Sequence, residues 1–208
     1  MGRYTGPVCR MCRREGMQLF LKGDRCFMAK CPVQTGRPPP GVHGQRRRKL
    51  SDYGAQLREK QRLRRMYGMQ EGQFHFFFDK ALARRGVTGE VLLQMLEMRL
   101  DSIVHRLGFA SSRAAARQFV RHGHVCVNGR KATIPSMRLK AGDAVQVRER
   151  ENSRALAQPG MESAEARGIA PWLALDKTAF RGEVLHLPTR DEIAPIVNEQ
   201  RVVELYSK

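Results

Sequence analysis

Arg99-Leu100-Asp101 … Gly108-Phe109-Ala110-Ser111-Ser112-Arg113-Ala114-Ala115-Ala116-Arg117 … Arg121-His122-Gly123-His124-Val125 … Asn128-Gly129-Arg130 packs two kinds of periodicity into little more than thirty residues. The run from Ser112 to Arg121 reads as a helix. His124–Val127 then alternates as a strand, Asn128-Gly129 supplies a tight hairpin turn, and a return strand leaves from Arg130. A helix therefore feeds a β-hairpin. A second strand pair is expected at Met137–Leu139 and Ala144–Arg148, around the turn Lys140-Ala141-Gly142-Asp143. Cys126, between Val125 and Val127, reads as a buried structural thiol.

Upstream the pattern is helical. Thr88 caps a helix through about Met98, with Val91, Leu92, Met95 and Leu96 as its apolar stripe, and helix continues through a bend to Leu107. Ser51 or Asp52 caps an earlier helix to about Tyr67, and another follows Gly68 over Glu71–Arg85. On that amphipathic helix Phe74, Phe76, Phe77 and Phe78 mostly fill the core rather than stack bases. Residues 1–50 are rich in Gly, Pro and Arg, hold no sustained period, and read as an extended arm. Downstream, residues 149–170 read as a linker, because Pro159-Gly160 breaks any long helix there. Short strands are expected at Trp172–Leu175 and Glu183–Leu187. Asn198 caps a last helix carrying Val202, Val203 and Tyr206 on one side.

Charge narrows the function. The 208 residues hold 38 Lys and Arg against 20 Asp and Glu, a formal net charge of +18. The excess is concentrated: 17 basic against 4 acidic residues over 1–66, and 10 against 2 over 99–148. Two separate polyanion-facing surfaces follow, and nucleic acid is the expected partner. The run Arg46-Arg47-Arg48-Lys49 leads into the helix bearing Arg58, Lys60, Arg62, Arg64 and Arg65, a cationic track with only Asp52 and Glu59 as internal partners. No stretch approaches the roughly 18 apolar residues of a membrane span, so a cytosolic protein is expected. A phosphate-cradling Gly loop, a zinc-protease His pair and a nucleophile constellation are all missing, so catalysis is not expected.

In a reducing compartment five cysteines, an odd count, do not make a disulfide framework. Cys9-x2-Cys12 and Cys26-x4-Cys31 instead let two tight turns each supply two thiolates to one tetrahedral ion. An arm with so few large apolar side chains needs such a staple. Arg10, Arg13, Arg14, Arg25 and Lys30 favour the thiolate form. One Zn2+ is the expected ion, though four thiolates also suit an iron–sulfur cluster.

The stretch from Arg99 to Lys131 resembles the small RNA-binding module named after ribosomal small-subunit protein four, which also occurs in some RNA-modifying and synthetase enzymes. The flanks choose among these. Met1-Gly2-Arg3-Tyr4-Thr5-Gly6-Pro7, Pro39-Pro40-Gly41-Val42-His43-Gly44-Gln45, Ser51-Asp52-Tyr53, Leu57-Arg58-Glu59-Lys60-Gln61, Asn198-Glu199-Gln200 and Tyr206-Ser207 resemble the bacterial family of that ribosomal protein across nearly the whole chain. The resemblance implies an α+β protein: a mainly helical domain with an inserted helix-plus-antiparallel-β module and an N-terminal metal-bound arm. The expected divisions are 1–45 for the arm, 46–98 for the helical rRNA-binding domain, 99–165 for the module and 166–208 for a segment returning to the helical domain. The function implied is structural. An early-assembling component of the cytoplasmic small ribosomal subunit binds the 5′ domain of its rRNA, as a monomer within the ribosome. It lies beside small-subunit protein five and other small-subunit proteins, near the messenger entry path, and influences decoding accuracy. By the same resemblance Arg99, Ser112, Arg113, Arg117, Arg121, Asn128, Arg130 and Lys131 contact RNA, with shape readout dominating. His122 and His124 contact RNA or pack, and Tyr53 joins the basic track of its helix.

Overall fold

The computed structural model describes residues 2–44, 49–193 and 197–207, and forms two units, Met1–Leu92 with Pro195–Lys208, and Leu93–Ala194. Arg46, Arg47 and Arg48 lie outside the described residues.

In the first unit the arm is not wholly extended. A short helix, α1 (Cys9–Glu15), closes on Gly16 in the left-handed region at φ 70°, and a 3-10 turn spans Gly23–Cys26. Both bring cysteines inward, which a period too short to register in sequence could not announce. α2 (Asp52–Met66) starts where Ser51 Oγ accepts the Gly54 N–H at 3.2 Å. α3 (Glu71–Leu82) buries Phe74, Phe77 and Phe78 as expected, while Phe76 is exposed under the Lys80 ammonium, 4.1 Å from its ring centre. α4 (Thr88–Glu97) carries the chain onward into the second unit. The last helix, α8 (Glu199–Tyr206), is capped by Asn198 Oδ1, which accepts the N–H groups of Gln200 and Arg201. It packs along α2, with Val202 buried and the Tyr206 ring against Phe74 and Phe78.

The second unit holds α5 (Leu100–Arg106), α6 (Arg113–Arg121), β1 (Val125–Val127), β2 (Arg130–Ala132), β3 (Ala144–Val147), α7 (Glu151–Arg167), β4 (Leu173–Asp176) and β5 (Arg181–Val184). Its antiparallel sheet has the order β2-β1-β3-β5-β4. Asn128 and Gly129 turn the β1–β2 hairpin at φ 47° and 77°, as their sequence demands. Val125, Val127, Val145, Val147 and Val184 form the buried face of the sheet and share one apolar core with Ile103, Leu107, Phe109, Phe119 and Trp172.

The structure departs from several expectations. Met137–Leu139 does not pair with β3, because its backbone bonds the start of α5 instead: Leu100 N–H donates to Met137 O at 2.8 Å and Leu139 N–H to Met98 O at 2.9 Å. β3 pairs with β1 and β5. The strand expected at Glu183–Leu187 lies at Arg181–Val184, and β4 and β5 remain in the second unit, while α8 lies in the first. Most pointedly, residues 149–170 hold a helix of 17 residues that includes Pro159. Ser153, Ala157, Gly160, Met161 and Ala164, spaced by three and four, make its buried stripe. Pro159 lies on the exposed side with Ala155, so water can serve the carbonyl that loses its helical donor.

Candidate nucleic-acid interface

Basic residues on α2 are partnered more richly than their own helix allows. Glu15, at the end of α1, has a side chain with no exposed surface and takes ion pairs from Arg58 at 3.1 Å, Arg62 at 3.8 Å, and Arg65. Arg62 also bonds Glu59, Arg64 reaches Gln61 and Glu71, and Lys60 is buried against Glu71 with its ammonium 5.5 Å from the Tyr206 ring centre. The expectation of an uncompensated track is thereby corrected: carboxylates distant in sequence arrive by folding. Burial acts to raise the Glu71 pKa, but hydrogen bonds from Lys60 and Tyr206 hold it below the ordinary carboxylate value; burial and that carboxylate push the Tyr206 phenol up. Lys60 is thus a structural cation, whereas Arg58, Arg62, Arg64 and Arg65 keep part of their surface open. Tyr53 and Lys49 are exposed.

The second unit repeats the device. Glu97, fully buried, accepts two bonds from Arg106 at 3.0 and 2.7 Å and a third from Arg113 at 3.1 Å. Asp101 accepts a bidentate pair from Arg99 at 2.9 and 2.7 Å and lies 3.4 Å from Arg117. Each carboxylate is shared by more than one guanidinium, so a positive excess survives pairing and the arginines are held in fixed rotamers. Such preorganisation lowers the ordering entropy lost on binding a phosphate backbone.

Not every residue expected to touch RNA has surface to do so. Arg99 is 1% exposed and serves Asp101. Ser112 is 8% exposed and caps α6 by accepting the Ala115 N–H at 3.2 Å. Asn128 is exposed, yet its side chain links two turns, donating to Asp143 Oδ1 at 2.8 Å and accepting from the Ala144 N–H at 2.9 Å. Arg121, His122, Arg130 and Lys131 are exposed, and Arg113 and Arg117 are partly so. His124 is partly buried, stacked on Phe119 with its Nδ1 3.0 Å from Ser153 Oγ. Sequence reading missed Glu15, Glu97 and Asp101 as organisers; acidic residues isolated within basic stretches were the available signal.

The four arm cysteines gather in space. Burial raises the Cys12 and Cys26 thiols; Cys12 also feels the charges of Cys26, Cys9 and Cys31, and Cys26 those of Cys31 and Cys9. Backbone N–H groups reach three of the sulfurs, including Lys22 N–H to Cys26 Sγ at 3.4 Å. Burial also acts upward on Cys31, but hydrogen bonds from Val33, Gln18 and Gln34, with the Arg25 charge, bring its pKa below the ordinary thiol value. As placed, the sulfurs do not close a ligand shell: among the described residues no three His, Cys, Asp or Glu stand so as to hold a metal. The donor set nonetheless fits a thiophilic ion in kind, since N–H donors aimed at sulfur stabilise thiolate. Cys126 is half-buried on β1. No helix among the described residues is long and apolar enough to cross a membrane.

Residues 3–97 match the family model of the ribosomal protein S4/S9 N-terminal domain, and residues 98–145 match that of the S4 domain. Over the full length of both chains the sequence is 55% identical to the small ribosomal subunit protein uS4 of Trichlorobacter lovleyi, 56% to that of Geotalea daltonii and 53% to that of Acidithiobacillus ferrooxidans.

Proposed function

We propose, from the premise that the chain belongs to the small ribosomal subunit protein uS4 family, that it is a structural constituent of the small ribosomal subunit, binds its rRNA and catalyses nothing. The observation that carries this reading is the sharing of Glu15 among three arginines and of Glu97 and Asp101 among two each, which fixes guanidiniums at defined places while leaving their charge in excess. A free soluble enzyme has no need of that arrangement. A junction of RNA helices does, because closely spaced phosphates repel one another until rigid cations come between them.

The finer reading is a primary assembly protein on the 5′ domain of small-subunit rRNA, next to small-subunit protein five and the messenger entry path, where it supports decoding accuracy. Two patches of excess charge suit a multi-helix junction better than a single duplex. The arm holds one Zn2+ on Cys9, Cys12, Cys26 and Cys31, with an iron–sulfur cluster as the other group that four thiolates accept; the N–H donors at Cys12, Cys26 and Cys31 support thiolate ligands. A bound ion would supply folding energy and no chemistry.

The test titrates the full chain against transcripts of the 5′ and 3′ domains of small-subunit rRNA over a range of salt. The expected outcome is at least about tenfold preference for the 5′ transcript, with log affinity falling by roughly 0.7–0.9 per neutralised phosphate for each decade of salt. Equal, weak binding to both transcripts overturns the reading.

A further inference from the structure

Between the end of α6 and the start of α7 lies a cavity of about 290 Å³, lined among others by His122, His124, Arg148, Arg150, Glu151 and Ser153. We propose that this cavity receives one phosphate group of the RNA backbone and that protonation of His124 strengthens the grip. The inference rests on the RNA-binding reading above and deepens it: to His122 and His124 of the module's motif it adds Arg148 and Arg150, which lie outside the stretch that carries the resemblance.

Three features combine. The walls supply two guanidiniums against one carboxylate, Glu151, leaving a positive balance even with both imidazoles neutral. The first turn of α7, a helix of 17 residues, opens on the cavity with the positive end of its dipole. A volume of about 290 Å³, open to solvent, has room for a phosphate with part of its hydration. Two guanidiniums beside the start of a helix suit a phosphate of the backbone.

His124 is built to respond. Its ring is stacked on Phe119 with centroids 4.9 Å apart, and its Nδ1 lies 3.0 Å from the Oγ of Ser153, which is itself 1% exposed. The group is therefore oriented before any ligand arrives. Around it stand His122, with ring centroids 6.1 Å apart, Arg148, whose N–H donates to His124 O at 2.8 Å, Arg150, and Glu151 across the cavity. Burial first, then the charges of His122, Arg148 and Arg150, hold the His124 pKa below the ordinary imidazole value. A phosphate offsets those positive neighbours and raises that pKa. By linkage affinity then rises as pH falls through the bound-state value, and levels off below the free-state value.

The test follows the imidazole proton signals of the full chain against pH with chloride alone, with inorganic phosphate, and with the 5′-domain transcript bound, beside affinity titrations at pH 8 and pH 6 in matched salt. Occupancy is expected to move the His124 titration to higher pH and to tighten RNA binding severalfold at pH 6 over pH 8. Arg150→Ala and His122→Gln, both at exposed positions, should shrink that gain without unfolding the chain, and Arg150→Ala should lower the salt slope by about one. Histidine signals unmoved by either phosphate or transcript overturn the proposal, as does a transcript that binds the wild-type chain equally at both pH values. Movement under inorganic phosphate alone, while the transcript binds, removes the RNA assignment. Failure of the wild-type chain to bind the transcript at any pH instead strikes the reading of the preceding subsection, and the RNA assignment with it.

Discussion

Glu15 has no exposed side-chain surface and three arginines around it, so its charge is the reason those guanidiniums tolerate one another. Glu15→Gln keeps the shape and removes the charge, leaving Arg58 and Arg65 without their ionic partner. Breaking a buried ion pair from one side costs about 3–5 kcal/mol, and partial exposure of the arginines puts the expected loss near the lower end, about 3 kcal/mol. Urea unfolding measures it; a change below about 0.5 kcal/mol would show that the arginines need no organiser. Arg99 makes the complementary case. Arg99→Leu should destabilise the second unit through the stranded Asp101, yet leave RNA affinity of the folded fraction within about twofold, because its guanidinium has no surface to offer. A large affinity loss with unchanged unfolding would return Arg99 to the interface. The basic residues were legible in the sequence as a class. Which of them face solvent was not, since that depends on Glu15, Glu71, Glu97 and Asp101, whose partners lie up to 50 residues away in the chain.

At the scale of elements, α7 shows where sequence patterning fails and why. Its buried stripe consists of Ser153, Ala157, Gly160 and Ala164 with one Met, residues too small to register as an apolar face, and Pro159 argues against helix outright. Close approach is what the small residues permit: a Cβ at Gly160 would lie 2.5 Å from Gly108 O and 3.1 Å from Ala110 N, and Gly108 itself sits at φ 86°. Gly160→Ala sets two effects against each other. Replacing a helical glycine by alanine ordinarily stabilises by about 0.8–1 kcal/mol. Here the methyl meets backbone, and overpacking costs about 1–3 kcal/mol or more, so the sign reverses and net destabilisation is expected. A raised melting temperature in Gly160→Ala would mean that α7 does not rest on the Gly108 loop. By contrast the β1–β2 turn was legible in the sequence, because Asn128-Gly129 carries its conformation locally, and the caps at Ser51 and Asn198 are likewise local side-chain bonds. Met137–Leu139 misled for the opposite reason: its partner, the start of α5, is more than thirty residues earlier, and alternation alone names no partner.

Across the molecule, the two charge patches stand on different supports. The second unit has an apolar core of its own, whereas the arm buries little beyond Leu19 and three of its thiols. An ion on Cys9, Cys12, Cys26 and Cys31 would therefore fold the arm, and with it α1 and the carboxylate of Glu15 that ends it. Chelation should then open four thiols to alkylation beyond Cys126, leave unfolding of the second unit unchanged, and lower RNA affinity about as much as Glu15→Gln does in the metal-loaded chain. The decisive measurement is the double perturbation. If metal acts on RNA binding through Glu15, chelating the Glu15→Gln protein should cost much less affinity than chelating the wild type, because neighbours that share one route to an effect are not additive. Fully additive losses would mean that the arm touches RNA by itself, and a chain purified anaerobically with neither zinc nor iron would leave the arm to be folded by RNA alone.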